Sequence, residues 1–134
     1  MIYLLDTNVC IHLLNERHPV ILQHLRQHSP ADIVLCSVVM AELLFGALRS
    51  QRAEANLQRL RVFFAPLQSL PFDDDCAEHY GQIHADLVSH GKPIGANDTL
   101  IAAIARAHNA TLITHNTREF SRVAGLRIAD WQTA

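Results

Sequence analysis

The chain has few cysteines, a single lysine and no apolar run of membrane-spanning length. Its 3 cysteines are an odd number and form no Cys-x-x-Cys pair. That count disfavours a disulfide framework or a structural zinc site and fits a reducing compartment. No signal-peptide pattern opens the sequence, and no apolar stretch approaches the ~20 residues of a membrane helix. We therefore expect a soluble cytoplasmic protein without a membrane segment.

The net charge and the length of the chain further limit the classes of protein to which it can belong. The formal net charge is −2, so any binding of nucleic acid would depend on a local patch and a metal ion and not on a globally basic surface. The 134 residues are 49% hydrophobic, which fits one domain over residues 1–134 with a packed core. Walker and Gly-x-Ser-x-Gly motifs are absent from the sequence.

Short apolar runs alternate with helical patterns along the chain. This alternation predicts an α/β fold in which helices cover both faces of a parallel sheet. Ser37 is the predicted N-cap of the third helix, and Asn97 is the predicted cap of the sixth. The predicted strands lie at 2–5, 33–36, 67–70, 110–114 and 126–128; the predicted helices lie at 9–15, 19–28, 38–50, 52–65, from Asp73 to a stop at Gly91, and 98–108.

Acidic residues interrupt or border three of the apolar runs. Asp6 ends IYLLDTN, Glu42 lies within VVMAELLFGAL, and Asp98 opens NDTLIAAIA. Ligands of open α/β sheets bind beyond the carboxyl ends of the strands, so these side chains can converge there. Clustered carboxylates repel unless a cation lies between them, and an oxygen-only cluster favours Mg²⁺ or Mn²⁺. The pattern indicates metal-dependent phosphoryl chemistry.

Each acid also has a purely structural interpretation. Asp6 fits a turn or cap after a strand, and Asp98 fits a helix N-terminus. Glu42 is harder to explain structurally, because Val38 and Gly46 are its neighbours one turn away and neither is basic. Gly46 would also leave space beside the Glu42 carboxylate.

Two polar residues follow the fourth predicted strand. Thr114 and Asn116 have two interpretations. They form an ordinary polar turn, or they donate hydrogen bonds to a metal-bound water or to an acidic metal ligand. An uncharged Asn116 lowers the negative charge of the site, which favours one metal ion over two. The number of metal ions stays open.

Positive and metal-binding side chains near the site are few. Lys92 precedes Asp98 and Arg118 follows Asn116, so both are candidates for binding substrate phosphate, with a solvated surface as the alternative. His24 and His28 have i,i+4 spacing without an HExxH motif, so we expect them on a solvated helix face and not at zinc. The cysteines are expected in the core.

The motifs LLDTN, MAELLFGA, PIGANDTLIAAIA and LITHNTREF, with RIADW near the end, resemble those of the PIN-domain nucleases, specifically the VapC toxins of toxin–antitoxin pairs. The resemblance covers almost the whole chain. It implies a PIN-like three-layer α/β/α domain with a mostly parallel sheet of about five strands. It also implies Asp6 and Asp98 as direct Mg²⁺ ligands, with Glu42 completing the cluster directly or through water. Many family members carry Asp where this chain has Asn116.

The same resemblance implies the activity and the partners. The activity is endoribonuclease cleavage of structured RNA, tRNA loops in particular, by metal-activated water, leaving 5′-phosphate and 3′-hydroxyl ends. The implied partners are a second copy of the chain and a VapB-like antitoxin whose C-terminal segment covers the site. Operator DNA would be bound only through the antitoxin.

Two alternatives remain. A phosphoacceptor receiver domain also gathers acids at strand ends, but it needs a lysine at a strand end, whereas Lys92 lies in a loop before a helix. The other is a non-catalytic PIN-like module that binds RNA or a partner, and Asn116 is the feature that supports it.

Overall fold

Five short strands form the centre of the molecule in the computed structural model, which describes residues 1–15 and 18–133. Residues 16, 17 and 134 of the predicted domain lie outside the described part. The strands are β1 (Tyr3–Leu5), β2 (Ile33–Cys36), β3 (Gln68–Leu70), β4 (Thr111–Ile113) and β5 (Arg127–Ala129). They pair in the order β3-β2-β1-β4-β5, and every pairing is parallel. The predicted parallel sheet of about five strands is therefore confirmed.

Helices connect the strands, as the alternating pattern predicted. The helices are α1 (Thr7–Leu14), α2 (Pro19–Arg26), α3 (Ser37–Arg49), α4 (Ala53–Phe64), α5 (Asp74–Ser89), α6 (Ala96–Ala107) and α7 (Thr117–Phe120), with a 3₁₀ turn at Pro30–Asp32. Consecutive residues of a strand point to opposite faces of the sheet. All residues of β2 and β4 are buried, so both faces are covered and the three-layer α/β/α class is confirmed.

The sheet order places the switch point of the fold between β1 and β4. These two strands pair with Leu5 opposite Ile113. From β1 the chain continues through β2 and β3 to one edge of the sheet, and from β4 it continues through β5 to the other edge. The next residues, Asp6 and Thr114, consequently lie side by side at the carboxyl ends of the strands. A crevice outside such a switch point is where open α/β sheets bind ligands.

Two of the predicted helix caps are wrong. Ser37 is the first residue of α3, after Cys36 as N-cap, and its hydroxyl donates to the carbonyl oxygen of Leu70 across 3.5 Å. Asn97 lies inside the first turn of α6, whose N-cap is Gly95. In both cases the chain enters the helix earlier than predicted, so the polar side chain is already within the first turn.

The predicted solvated helix face for His24 and His28 is also wrong. Both imidazoles are half-buried and stack on the indole of Trp131, with ring centroids 5.8 Å and 5.1 Å away. Tyr3 of β1 packs on the same indole, 5.5 Å away between centroids. Trp131 is only 4% exposed, so this aromatic cluster attaches the segment after β5 to α2 and β1. The three cysteines are buried and unpaired, as predicted.

Candidate active site

Asp6 follows β1 and is held by two hydrogen bonds. Its Oδ1 accepts from the backbone N–H of Thr7 at 2.8 Å, and its Oδ2 accepts from the hydroxyl of Thr114 at 2.7 Å. The first contact caps α1, which explains why this helix begins at Thr7 and not at the predicted Val9. The side chain is 8% exposed. Burial raises the pKa of Asp6, the bonds from Thr114 and Thr7 oppose that rise, and the nearby charge of Glu42 adds to it.

Glu42 reaches the same edge of the sheet from the second turn of α3. It is half-buried, and its Oε1 accepts a hydrogen bond from the hydroxyl of Thr7 at 2.7 Å. Thr7 therefore contacts both acids, Asp6 through its backbone and Glu42 through its side chain. Sequence reasoning missed this role, although a hydroxyl residue directly after Asp6 was a visible signal.

Asp98 lies in the first turn of α6 and is half-buried. Burial raises its pKa to about 6, and the charges of Asp6, Glu42 and Glu119 add to the rise in that order. The three predicted acids are thus electrostatically coupled. The ionised form of Asp98 is thus disfavoured by burial first and by the charges of its neighbours second, and a bound cation would relieve the repulsion from those neighbours.

Glu119 is an acidic residue of the site that the sequence analysis did not single out. It lies on α7, and its Oε2 accepts from the side-chain amide of Asn116 at 3.2 Å. Asn116 is exposed; its backbone N–H donates to the Thr114 hydroxyl oxygen at 3.0 Å, and its amide contacts Glu119 and none of the three predicted metal ligands. A negative charge therefore lies three residues after the neutral Asn116.

The predicted substrate-binding side chains lie on the protein surface. Lys92 is exposed in the loop before α6, and Arg118 is exposed on α7 beside Glu119. Within residues 1–15 and 18–133 the ion pairs join His90 to Asp86 and His115 to Asp130, so Lys92 and Arg118 are both unpaired there. His115 faces the segment after β5, where its Nδ1 lies 3.0 Å from Oδ2 of Asp130.

The donor set fits a hard divalent cation. The coupled side chains offer only oxygen atoms, and burial together with the repulsion between neighbouring carboxylates raises the pKa of both Asp6 and Asp98. Mg²⁺ would offset that repulsion. Across the described ranges, no group of three or more His, Cys, Asp or Glu side chains is positioned to hold a metal ion. Mg²⁺ usually keeps several of its waters and is bound through only one or two direct carboxylates.

The structure carries no membrane helix in its described part: none of its helices combines the length and the apolar character that crossing a bilayer requires.

Comparison with known proteins agrees with this architecture. Residues 3–126 match the PIN domain family. The chain is 37% identical to "Ribonuclease VapC2" of Rickettsia felis, covering 98% of each chain, and 38% identical to "tRNA(fMet)-specific endonuclease VapC" of Shigella flexneri, covering 96% of this chain and 97% of the other. A crystal structure of VapBC2 from Rickettsia felis bound to a promoter DNA fragment superposes with a TM-score of 0.90 at 36% identity, over 98% of this chain and 99% of the other. The chain therefore belongs to the PIN-domain family, among the VapC endoribonucleases.

Proposed function

We propose that the protein is the toxin of a toxin–antitoxin pair and that it cleaves structured RNA, tRNA in particular, in a reaction that requires Mg²⁺, for which Mn²⁺ can substitute. The observation that carries the proposal is the electrostatic coupling of Asp6, Glu42 and Asp98 beside the switch point of the sheet. The tRNA assignment is supported by the relative from Shigella flexneri, which is named as tRNA(fMet)-specific.

Asp6, Asp98 and Glu42 would hold the metal ion, Glu42 directly or through water. The ion supplies neutralisation of phosphate charge and a bound water of lowered pKa. The other residues of the chain position these ligands: the Thr114 hydroxyl orients Asp6, and the Thr7 hydroxyl orients Glu42. Asn116 holds Glu119, whose charge bears on Asp98. Lys92 and Arg118 would bind substrate phosphate near the metal ion.

The partners follow from the relatives. The structure from Rickettsia felis is a VapBC complex bound to promoter DNA, so a VapB-like antitoxin is the expected inhibitor, and operator DNA is contacted through it. We further propose a homodimer of this chain within a cytoplasmic toxin–antitoxin hetero-oligomer.

The decisive experiment incubates the antitoxin-free protein with total tRNA in Mg²⁺, in Mn²⁺ and in EDTA. Cleavage is expected with both metals and not in EDTA, and the products should carry 5′-phosphate and 3′-hydroxyl ends. The Asp98→Asn variant serves as the inactive control. Cleavage that survives exhaustive chelation would overturn the metal dependence, and cleavage of other RNAs with tRNA untouched would overturn the substrate.

The alternative of a non-catalytic RNA- or partner-binding module rested on Asn116. Glu119 weakens that argument, because it supplies an acidic side chain beside Asp98 although Asn116 is neutral. Binding of tRNA without cleavage in either metal would support the alternative.

A further inference from the structure

A hollow of about 230 Å³ opens between α1, α3 and α4, and Glu42 of the acidic cluster is part of its lining. Ile11, Leu14 and Leu60 contribute apolar surface to the same lining. Asn56 and Arg59 contribute polar groups. The hollow therefore combines apolar surface with a few polar groups, as binding sites for flat heteroaromatic rings do.

Glu42 also lines a second, larger hollow of about 620 Å³, which leads along Thr7 and Asn97 towards the start of α6. This carboxylate thus borders both spaces, and each is within reach of a nucleotide next to a phosphodiester bound at the acids. The smaller hollow is the one with the dimensions of a single ring system and not of a chain segment.

Gly46 creates the room in the smaller hollow. It lies one turn after Glu42 in α3, and a Cβ atom placed there would meet nothing within 4 Å. Its backbone is helical, so no special φ requires glycine. Glycine inside a helix costs about 0.5–1 kcal/mol relative to alanine. The benefit that offsets this cost is space beside the catalytic carboxylate.

Two polar groups of the lining are held in place by hydrogen bonds. The Asn56 amide nitrogen donates to the Ser50 hydroxyl at 2.8 Å, which restricts the orientation of the side-chain amide. The Arg59 guanidinium donates to the Leu14 carbonyl oxygen. Ile11 is 41% exposed, so a planar ligand in the hollow would cover apolar surface that now faces water.

We propose that this hollow binds the base of an unstacked nucleotide next to the cleaved phosphodiester, so that Gly46 and its surroundings set the sequence preference of the nuclease. Sequence-specific RNA recognition targets unpaired loop bases that stack on protein side chains and hydrogen-bond through their edges. The inference rests on the proposed function, because it assigns a substrate subsite to the same active site.

The test compares Gly46→Leu with Gly81→Leu. Gly81 lies in the interior of α5, and a Cβ there also meets nothing within 4 Å, so it is a matched control for the change in helix propensity. Both variants should melt at or above the wild-type temperature. The probe is a synthetic tRNA anticodon stem–loop, together with analogues in which the nucleotide on the 5′ or the 3′ side of the cleavage site is abasic. Binding is measured in EDTA by fluorescence anisotropy, and KM and kcat are measured in Mg²⁺.

We expect Gly46→Leu to weaken binding of the intact stem–loop, and to raise its KM, by about tenfold, the range typical of one stacked base. Gly81→Leu should match the wild type. One of the abasic analogues should bind the wild type about tenfold less tightly, and Gly46→Leu should lose little more on that analogue, because both changes remove the same contact.

Three results would overturn the base pocket: unchanged binding and KM in Gly46→Leu, additive effects of Gly46→Leu and the abasic site, or loss of antitoxin binding with RNA binding intact. The last would assign the hollow to a protein segment. A wild type that binds the stem–loop without cutting any RNA would refute the proposed function alone, since the binding comparison still decides the pocket. A wild type that cuts total tRNA and does not bind the stem–loop would overturn the base pocket and leave the proposed function standing.

Discussion

The hydroxyl of Thr114 donates to Oδ2 of Asp6 across 2.7 Å, and both side chains are buried. This bond joins the residue after β4 to the residue after β1, across the switch point of the sheet. It fixes one carboxylate oxygen of Asp6, while the other caps α1. The orientation of a central acid thus depends on a neutral side chain that is 108 residues away in the sequence.

Replacing Thr114 with Val should destabilise the protein by about 1–3 kcal/mol at neutral pH, because a buried carboxylate loses a donor. The pKa of Asp6 should rise further, since the bond from Thr114 now opposes the effect of burial. Urea unfolding measures the first effect and NMR titration the second. Thr114→Ser keeps the hydroxyl and is the control; equal stability of the Val and Ser variants would contradict the role of the bond.

Asp98→Asn should abolish cleavage and yet melt in EDTA at or above the wild-type temperature, because one of the mutually repelling charges is gone. Excess Mg²⁺ should raise the melting temperature of the wild type, since the ion binds the folded site, and the rise should shrink strongly in the variant. If Asp98 served only the helix terminus, its replacement would cost several tenths of a kcal/mol in both buffers. Equal destabilisation with and without Mg²⁺ would therefore refute its role as a metal ligand.

Stability without metal should depend on pH through Asp98. The pKa of this residue is about 6 in the folded protein, against an ordinary value of 3.8. The folded state therefore holds the proton more tightly than the unfolded state, so the contribution of Asp98 to stability is present below pH 3.8 and is lost as the pH rises through about 6. Melting curves in EDTA should show wild type losing stability relative to Asp98→Asn over that window.

With Mg²⁺ present, the stability that depends on Asp98 should instead increase with pH, because protons compete with the metal ion for the carboxylate. The Mg²⁺-induced rise in melting temperature should decrease as the pH falls below about 6. A rise that is independent of pH down to pH 3.8 would show that Asp98 does not bind the ion.

Glu119→Gln should move the pKa of Asp98 back towards its ordinary value, because one of the charges that raise it is removed. Carbon-detected NMR titration of the carboxyl groups measures this shift. Glu78→Gln is the matched control, since Glu78 is an exposed acid on α5. An Asp98 pKa that is the same in both variants would remove Glu119 from the site.

Lys92→Ala and Arg118→Ala should each weaken RNA binding and reduce the slope of log affinity against log salt by about 0.7–0.9, the value for one phosphate contact. Metal affinity should change little, because neither side chain contacts the acids. Arg127→Ala is a suitable comparison, as its guanidinium is engaged with the backbone oxygen and side chain of Asn109. Salt dependence identical to that of the wild type in both variants would place these charges on ordinary surface.

Much of this architecture was predictable because it depends on local patterns. Short apolar runs between helical segments specify buried parallel strands. Because the carboxyl ends of parallel strands lie at the same edge of a sheet, Asp6 and Thr114, which follow two such strands, were expected at one edge. Glu42 was detectable because an acid without a basic neighbour interrupts an apolar helix. These features are properties of the strand or helix that contains them.

The residues that prediction missed depend on contacts between distant segments. Ser37 does not cap α3, because its hydroxyl donates to the carbonyl oxygen of Leu70 in β3. His28 is half-buried because Trp131, from a segment far along the chain, packs on it. Glu119 lies in a four-residue helix with the composition of ordinary surface, so only its proximity to Asp98 reveals it. Local periodicity carries no information about such pairings.

Trp131 is the only tryptophan of the chain, and it is buried against Tyr3 and the stacked imidazoles of His24 in α2 and His28 just after that helix. Intrinsic indole fluorescence therefore originates from one known position. A red shift of the emission without loss of helical circular dichroism would mean that the segment after β5 has separated from α2 while the sheet remains folded. The protein thus contains its own optical reporter for the attachment of that segment, and no extrinsic dye is needed to follow it.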